Sequence, residues 1–191
     1  CANIYNPHGD CPMSTLSVDT IQGKTTSGSV AMPTGGHIIQ TQYSVDLQTA
    51  TDVTTASSSA FVDLSGMTVS ITPKFSTSKI LVMYNYHVWL EKGSGGYVGT
   101  DTKLVRTIGG SGTDLIGETP VYGTGYREEH TSGGQFTLFV YQSKQYVDSP
   151  STTSEATYKL QGKLTQNTLT HTYNSNNLGT GGSMVAMEIA Q

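Results

Sequence analysis

Residues 78–92 read SKILVMYNYHVWLEK, and their alternation decides the fold class. Ile80, Val82, Tyr84, Tyr86, Val88 and Leu90 fall on one parity, and Leu81, Met83 and Trp89 on the other. Side chains two apart share a face of a strand, so both faces of this segment carry apolar groups. A strand covered on both sides is central in its sheet or lies at a subunit contact.

Other segments alternate in the same way. In HIIQTQYSVDL (37–47), Ile39, Thr41, Tyr43, Val45 and Leu47 share one face and Gln40, Gln42, Ser44 and Asp46 the other, which reads as a half-buried strand. In GMTVSITP (66–73), Met67, Val69 and Ile71 alternate with hydroxyls until Pro73 removes a ladder donor. Further strands are expected at 102–108, 113–117, 135–147, 156–165, 169–173 and 183–190, with Gly-rich turns between most of them. No segment sustains the i, i+3, i+4, i+7 pattern of an amphipathic helix. The chain therefore reads as all-β, and an antiparallel β-sandwich of jelly-roll type is the simplest closed arrangement at 191 residues. Residues 13–36 lack alternation and read as an extended arm that needs a neighbour, which leaves 37–191 as the head.

Composition narrows the function classes. Charged residues make up 13% of the chain, about half the usual share, so surface polarity comes from hydroxyls and amides. The 11 tyrosines and the regular alternation separate the chain from a disordered one. A net charge of −4 without a basic stripe argues against a nucleic-acid partner. No apolar run approaches the roughly 20 residues that span a bilayer, so no membrane insertion is expected.

Chemistry-bearing motifs are sparse. YREEH (126–130) groups Arg127, two carboxylates and His130 and reads as a solvated charged loop, because no nucleophile stands in a recognisable context beside it. The five histidines form no close-spaced ligand set and no GxSxG occurs, so neither a metal, a cofactor nor an enzymatic activity is expected. The runs 93–99 and 117–126 place Tyr97, Tyr122 and Tyr126 in flexible loops near Trp89, where aromatic rings could stack on sugar faces. Trp89, Tyr97, Tyr122, Tyr126, Arg127 and His130 are thus the receptor-binding candidates, against the alternative that the tyrosines cap the sandwich or pack across a subunit interface.

Several phrases carry a family likeness. MSTLSVDTIQGKTTSGSVAMPTG followed by HIIQTQY, then SITPKFSTSKILV, YVDSPSTTSEATYKLQ and the closing SMVAMEIAQ, resemble the short fibre-type structural proteins of marine tailed bacteriophages, including cyanophages. The resemblance runs from Met13 to Gln191. It implies a virion protein whose N-terminal segment docks on other proteins of the particle and whose β-sandwich head, usually a homotrimer, faces a host-surface glycan or protein. By position, Leu16, Val18, Ile21, Val30 and Met32 would belong to the docking arm, with Ser70–Val82, Asp148–Gln161 and Ser183–Ala190 in the head. A secreted carbohydrate-binding module or lectin, and a fibre enzyme that degrades glycans with two carboxylates, are the alternatives.

The segment CANIYNPHGDCP (1–12) departs from that pattern. Cys1 and Cys11 are the only cysteines, and Asn6, Pro7 and Gly9 between them are turn formers, so an intramolecular disulfide is expected, worth about 2–3 kcal/mol of chain entropy for so short a loop. A metal held by Cys1, His8, Asp10 and Cys11 is the weaker option, because zinc sites favour closer cysteine pairs. A first residue other than Met points to processing, a fused tag or an upstream start, and a lipid on Cys1 is a minor variant. Residues 1–12 are read as a cyclic extension outside the head.

Overall fold

A computed structural model of the chain describes residues 36–46, 51–54, 60–92, 96–116, 126–130, 136–164, 170–173 and 182–191. They contain eleven strands: β1 (Ile38–Asp46), β2 (Thr51–Thr54), β3 (Val62–Ile71), β4 (Lys79–Lys92), β5 (Gly96–Ile108), β6 (Ser111–Ile116), β7 (Tyr126–His130), β8 (Phe136–Asp148), β9 (Ala156–Leu164), β10 (Thr170–Tyr173) and β11 (Gly182–Ile189). No helix occurs among the described residues. The docking-arm candidates Leu16, Val18, Ile21, Val30 and Met32, the pair Cys1 and Cys11, and Tyr122 lie outside them.

The strands form two antiparallel sheets, as an all-β sandwich requires. The first runs β1-β11-β4-β10-β2, with β8 along the other side of β4; the second runs β3-β9-β5-β6, with β7 also on β5. Residues 78–92 supply the long central strand of the first sheet, which pairs with β11 over Lys79–Asn85, with β10 over Val88–Glu91 and with β8 over Ile80–Lys92. Three elements differ from the sequence reading, β2 at Thr51–Thr54, which no alternation marks, and two runs read as loops. YREEH is strand β7, paired with Gly96–Thr100, because ladder bonds use the backbone and tolerate any side chain. The Gly-rich run at 96–99 is likewise strand, not turn. The β5–β6 connection does follow turn chemistry: Gly109 and Gly110 both take positive φ, 56° and 84°, as a two-residue type I′ hairpin needs.

The core lies between the sheets. Ile80, Val82, Val88, Leu90, Met184 and Ala186 from the first sheet meet Leu64, Met67, Val69, Ile71, Leu104 and Leu160 from the second. Buried tyrosines give it polar crossing points. Tyr86 Oη pairs with Thr102 Oγ1 at 3.0 Å, and Tyr173 Oη pairs with Thr100 Oγ1, so hydroxyls of the first sheet are satisfied by threonines of the second. Burial pushes the Tyr84 phenol up to about 12 and raises Tyr86 and Tyr173 further, so each is neutral and able to donate. The Tyr173 ring sits over Gly162, where a Cβ would lie 2.7 Å from the ring.

Two carboxylates lock the ends of strands. Asp148, at the end of β8, takes Arg106 Nη1 on both oxygens at 2.9 Å and the Tyr158 hydroxyl at 2.8 Å, which ties β8 of the first sheet to β5 and β9 of the second. Glu188 on β11 is fully buried. It accepts from Gln40 Nε2 and from the backbone N–H groups of Lys74 (2.7 Å) and Phe75 (3.3 Å), which fastens the β3–β4 turn. Burial alone would raise the Glu188 pKa, but those hydrogen bonds, that from Gln40 foremost, outweigh it and hold the carboxyl below its ordinary range.

Strand β1 has the expected period with the faces exchanged. Its Gln40 and Ser44 point to the second sheet, where Gln40 Nε2 donates to Thr72 O and Ser44 Oγ to Gly66 O, both at 2.7 Å. Ile39 and Tyr43 stand on the open side. Strand β8 is an edge strand among the described residues, and its Lys144 is turned toward the inner side across from Tyr84, where partial burial lowers its pKa.

Two outcomes test this account. Asp148→Ala strands the Arg106 charge and lowers unfolding free energy by about 3 kcal/mol, whereas Arg106→Met/Asp148→Leu, which removes both charges, loses less; urea titration measures both. Glu188 has a depressed folded pKa, so its stabilisation is present above the ordinary carboxylate value of 4.5 and is lost as pH falls below it. The acid limb of a Tm-against-pH curve will be shallower for Glu188→Gln than for the wild type.

Candidate functional site

The two outer faces of the sandwich differ in chemistry, and this difference defines the candidate surfaces. Strand alternation turns Asp63, Asp101, Lys103, Lys159, Gln161 and Lys163 outward on the second sheet. Lys159 Nζ meets Asp63 at 2.8 Å, Lys103 Nζ meets Asp114 at 3.0 Å, and Lys163 Nζ lies 4.0 Å from Asp101. Phe61 lies beneath two of these cations, 4.8 Å from Lys103 Nζ and 4.9 Å from Lys163 Nζ. Burial would raise the Asp63 pKa, but hydrogen bonds from Lys159 and Gln161 and the charges of Lys159 and Lys103 lower it. The face is a ladder of mutually satisfied charges, each exposed pair contributing at most about 1 kcal/mol.

The outer face of the first sheet is built differently. One row across it holds Thr41, Met187, Leu81 and Val147, and the next Tyr43, Val185, Met83 and Gln145. Ser183, Asn85 and Ser143 follow, then His87 with Tyr141, then Thr172, Trp89 and Phe139. From the Leu81 row to the Trp89 row, β1, β11, β4, β10 and β8 contribute no Lys, Arg, Asp or Glu to this face among the described residues. Charge closes this stretch at both ends of β4, with Lys79 one row before Leu81 and Glu91 one row beyond Trp89, and Asp52 on β2 stands in register with Thr172. Tyr43 is 73% exposed, Tyr141 63%, Val147 50% and Phe139 43%.

Five of the six receptor candidates divide between the sheets, and Tyr122 lies outside the described residues. Trp89 lies on the uncharged face, its ring 5.3 Å from that of Phe139 and its indole N–H buried with no partner among the described residues. Tyr97 lies on β5, in register with Glu129; on β7, Tyr126 is in register with Thr100, Arg127 with Gly99 and His130 with Gly96. The ladder thus brings Tyr97, Tyr126, Arg127 and His130 into one short hairpin-like pairing beside the β4–β5 connection. Phe139, Tyr141 and Val147 were not among the sequence candidates. Their signal was the even spacing of 139 and 141, which fixes a shared face without saying that it stays open. The stacking of Phe61 under Lys103 and Lys163 had no local signal. No group of three or more His, Cys, Asp or Glu that could hold a metal occurs among the described residues.

No protein-family model matches the chain, and no curated protein matches it. Among solved structures, a chain in the structure of black queen cell virus aligns with 100% of this chain and 90% of its own length, at 10% identity and a TM-score of 0.16. A likeness of that size carries no argument about fold or function.

Phe61→Ala should lower stability by about 1 kcal/mol through loss of the paired cation–π contacts. In a double-mutant cycle with Lys103→Ala, the combined loss should be smaller than the sum of the two single losses; full additivity would mean that Phe61 and Lys103 do not interact.

Proposed function

We propose that the chain is a non-enzymatic structural protein of a bacteriophage virion, of fibre type. Residues 13–36 hold it on the particle, and the sandwich from residue 37 is displayed outward, in jelly-roll order and as a homotrimer, to meet a host-surface glycan or protein. The observation that carries this reading is the pairing of a rigid all-β head with two unlike outer faces, one a self-satisfied charge ladder and the other open, aromatic and uncharged. Such a head presents surfaces at low ordering cost. The resemblance of residues 13–191 to fibre-type proteins supports the same reading. The β5–β7 pairing, with Tyr97, Tyr126, Arg127 and His130, is the host-contacting element, and three copies on one particle would raise weak single-site binding by avidity.

A carbohydrate-binding module is the second reading, favoured by the exposed Tyr43, Phe139 and Tyr141 on one sheet face. Labelled protein on marine bacterial cells and a glycan array separates the readings. A fibre head binds measurably only when displayed in several copies, and Tyr97→Ala/Arg127→Ala reduces that binding at least about tenfold, equivalent to 1.4 kcal/mol. Tight binding of a soluble glycan by the monomer would favour the module, and release of reducing sugar would favour a glycan-degrading enzyme.

A further inference from the structure

We infer that the uncharged outer face of the first sheet is the surface through which copies of this chain meet, turned toward the threefold axis of the homotrimer. This deepens the oligomeric part of the reading above and rests on it, by naming the surface.

Strand β1 supplies the first argument. Its sequence has the alternation of a half-buried strand, yet within one chain its polar side is the one engaged, through Gln40 and Ser44, and Ile39 and Tyr43 are left open. The open side continues through Val185 and Met187 on β11, Leu81 and Met83 on β4, and Val147 on β8. These aliphatic groups lower their free energy by leaving water and gain nothing from a sugar's hydroxyls.

Size gives the second. At a strand spacing of ~4.8 Å and two rises of ~3.3 Å between residues on one face, each residue covers ~32 Å² and the rows from Leu81 to Trp89 on the order of 500 Å², about half of the ~1,000 Å² total that a specific interface needs from its two partners.

Charge and edge geometry select the occupant. A chain of net charge −4 repels its own copies unless they meet where charge is absent. The ionised ladder of Asp63, Asp101, Lys103, Lys159 and Lys163 lies on the far side of the sandwich, so contact through the first sheet keeps the charged faces in water. Addition at the β8 edge is the competing geometry. It is opposed by Lys144, a cation turned inward on an edge strand, a device that discourages strand addition.

The test uses the full chain and three variants at exposed positions, Tyr43→Lys, Tyr141→Lys and Val147→Lys, each confirmed as folded by circular dichroism. Light scattering after size exclusion gives mass, and the single tryptophan, Trp89, reports the face by its emission across a dilution series. The expected result is a multiple of the chain mass for the wild type, a red shift of Trp89 on dilution, and association weakened at least tenfold in at least two of the variants. A multimer that none of the variants weakens, with concentration-independent Trp89 emission, would overturn this surface and leave the homotrimer reading standing. A wild-type monomer at every concentration would overturn both. Retention of a glycan by the wild-type monomer, lost in the same variants, would assign the face to a sugar instead.

Discussion

The contact of Asp148 with Arg106 and Tyr158 is the constraint on which the arrangement of the two sheets depends. It joins the last residue of β8 to two neighbouring strands of the opposite sheet, at 2.8–2.9 Å. A charge pair taken out of water gains little net energy over a well-packed apolar substitute, but it tolerates only one geometry. Apolar contacts across a sandwich are non-directional and would allow the sheets to slide. A carboxylate that must reach a guanidinium and a phenol at once fixes the offset between them. The tyrosine–threonine pairs at Tyr86 and Tyr173 add further fixed points along the same gap, so the core is positioned by hydrogen bonds as much as by volume.

With the sheets fixed, the remaining charge is sorted by face. Aspartates and lysines gather on the outside of β3, β9, β5 and β6, where they neutralise one another. The opposite face holds aliphatic, aromatic, amide and hydroxyl groups. In a chain with so few ionised residues this sorting leaves one face well solvated and the other with exposed apolar and aromatic groups.

Much of this was legible in the sequence because it is written in period-2 alternation. Strands β4 and β9 keep an unbroken apolar inner row, and β11 keeps one as far as Glu188, so their positions follow from it; in β8 the inner row turns polar at Gln142 and Lys144. Strand β2 was not legible, since TDVT holds one apolar residue and its pairing with β10 depends on chain brought from more than a hundred residues away. Strand β7 was hidden by its charges. For β1 the period was correct, but alternation alone does not say which side the core lies on; that depended on Gln40 and Ser44 finding Thr72 and Gly66. The surface charge ladder was out of reach for the same reason, because Asp63 meets a lysine 96 residues along the chain.

Gly162 and Tyr173 illustrate how such long-range fits constrain change. The phenol ring occupies the space a side chain would need, so neither position is free to vary alone. A larger residue at 162 is viable only after the ring has been shortened, and a shortened ring leaves a void under Thr100 until 162 has grown. The two positions behave as one unit of inheritance spread over two strands, and descendants of this fold should carry either the glycine with the ring or neither.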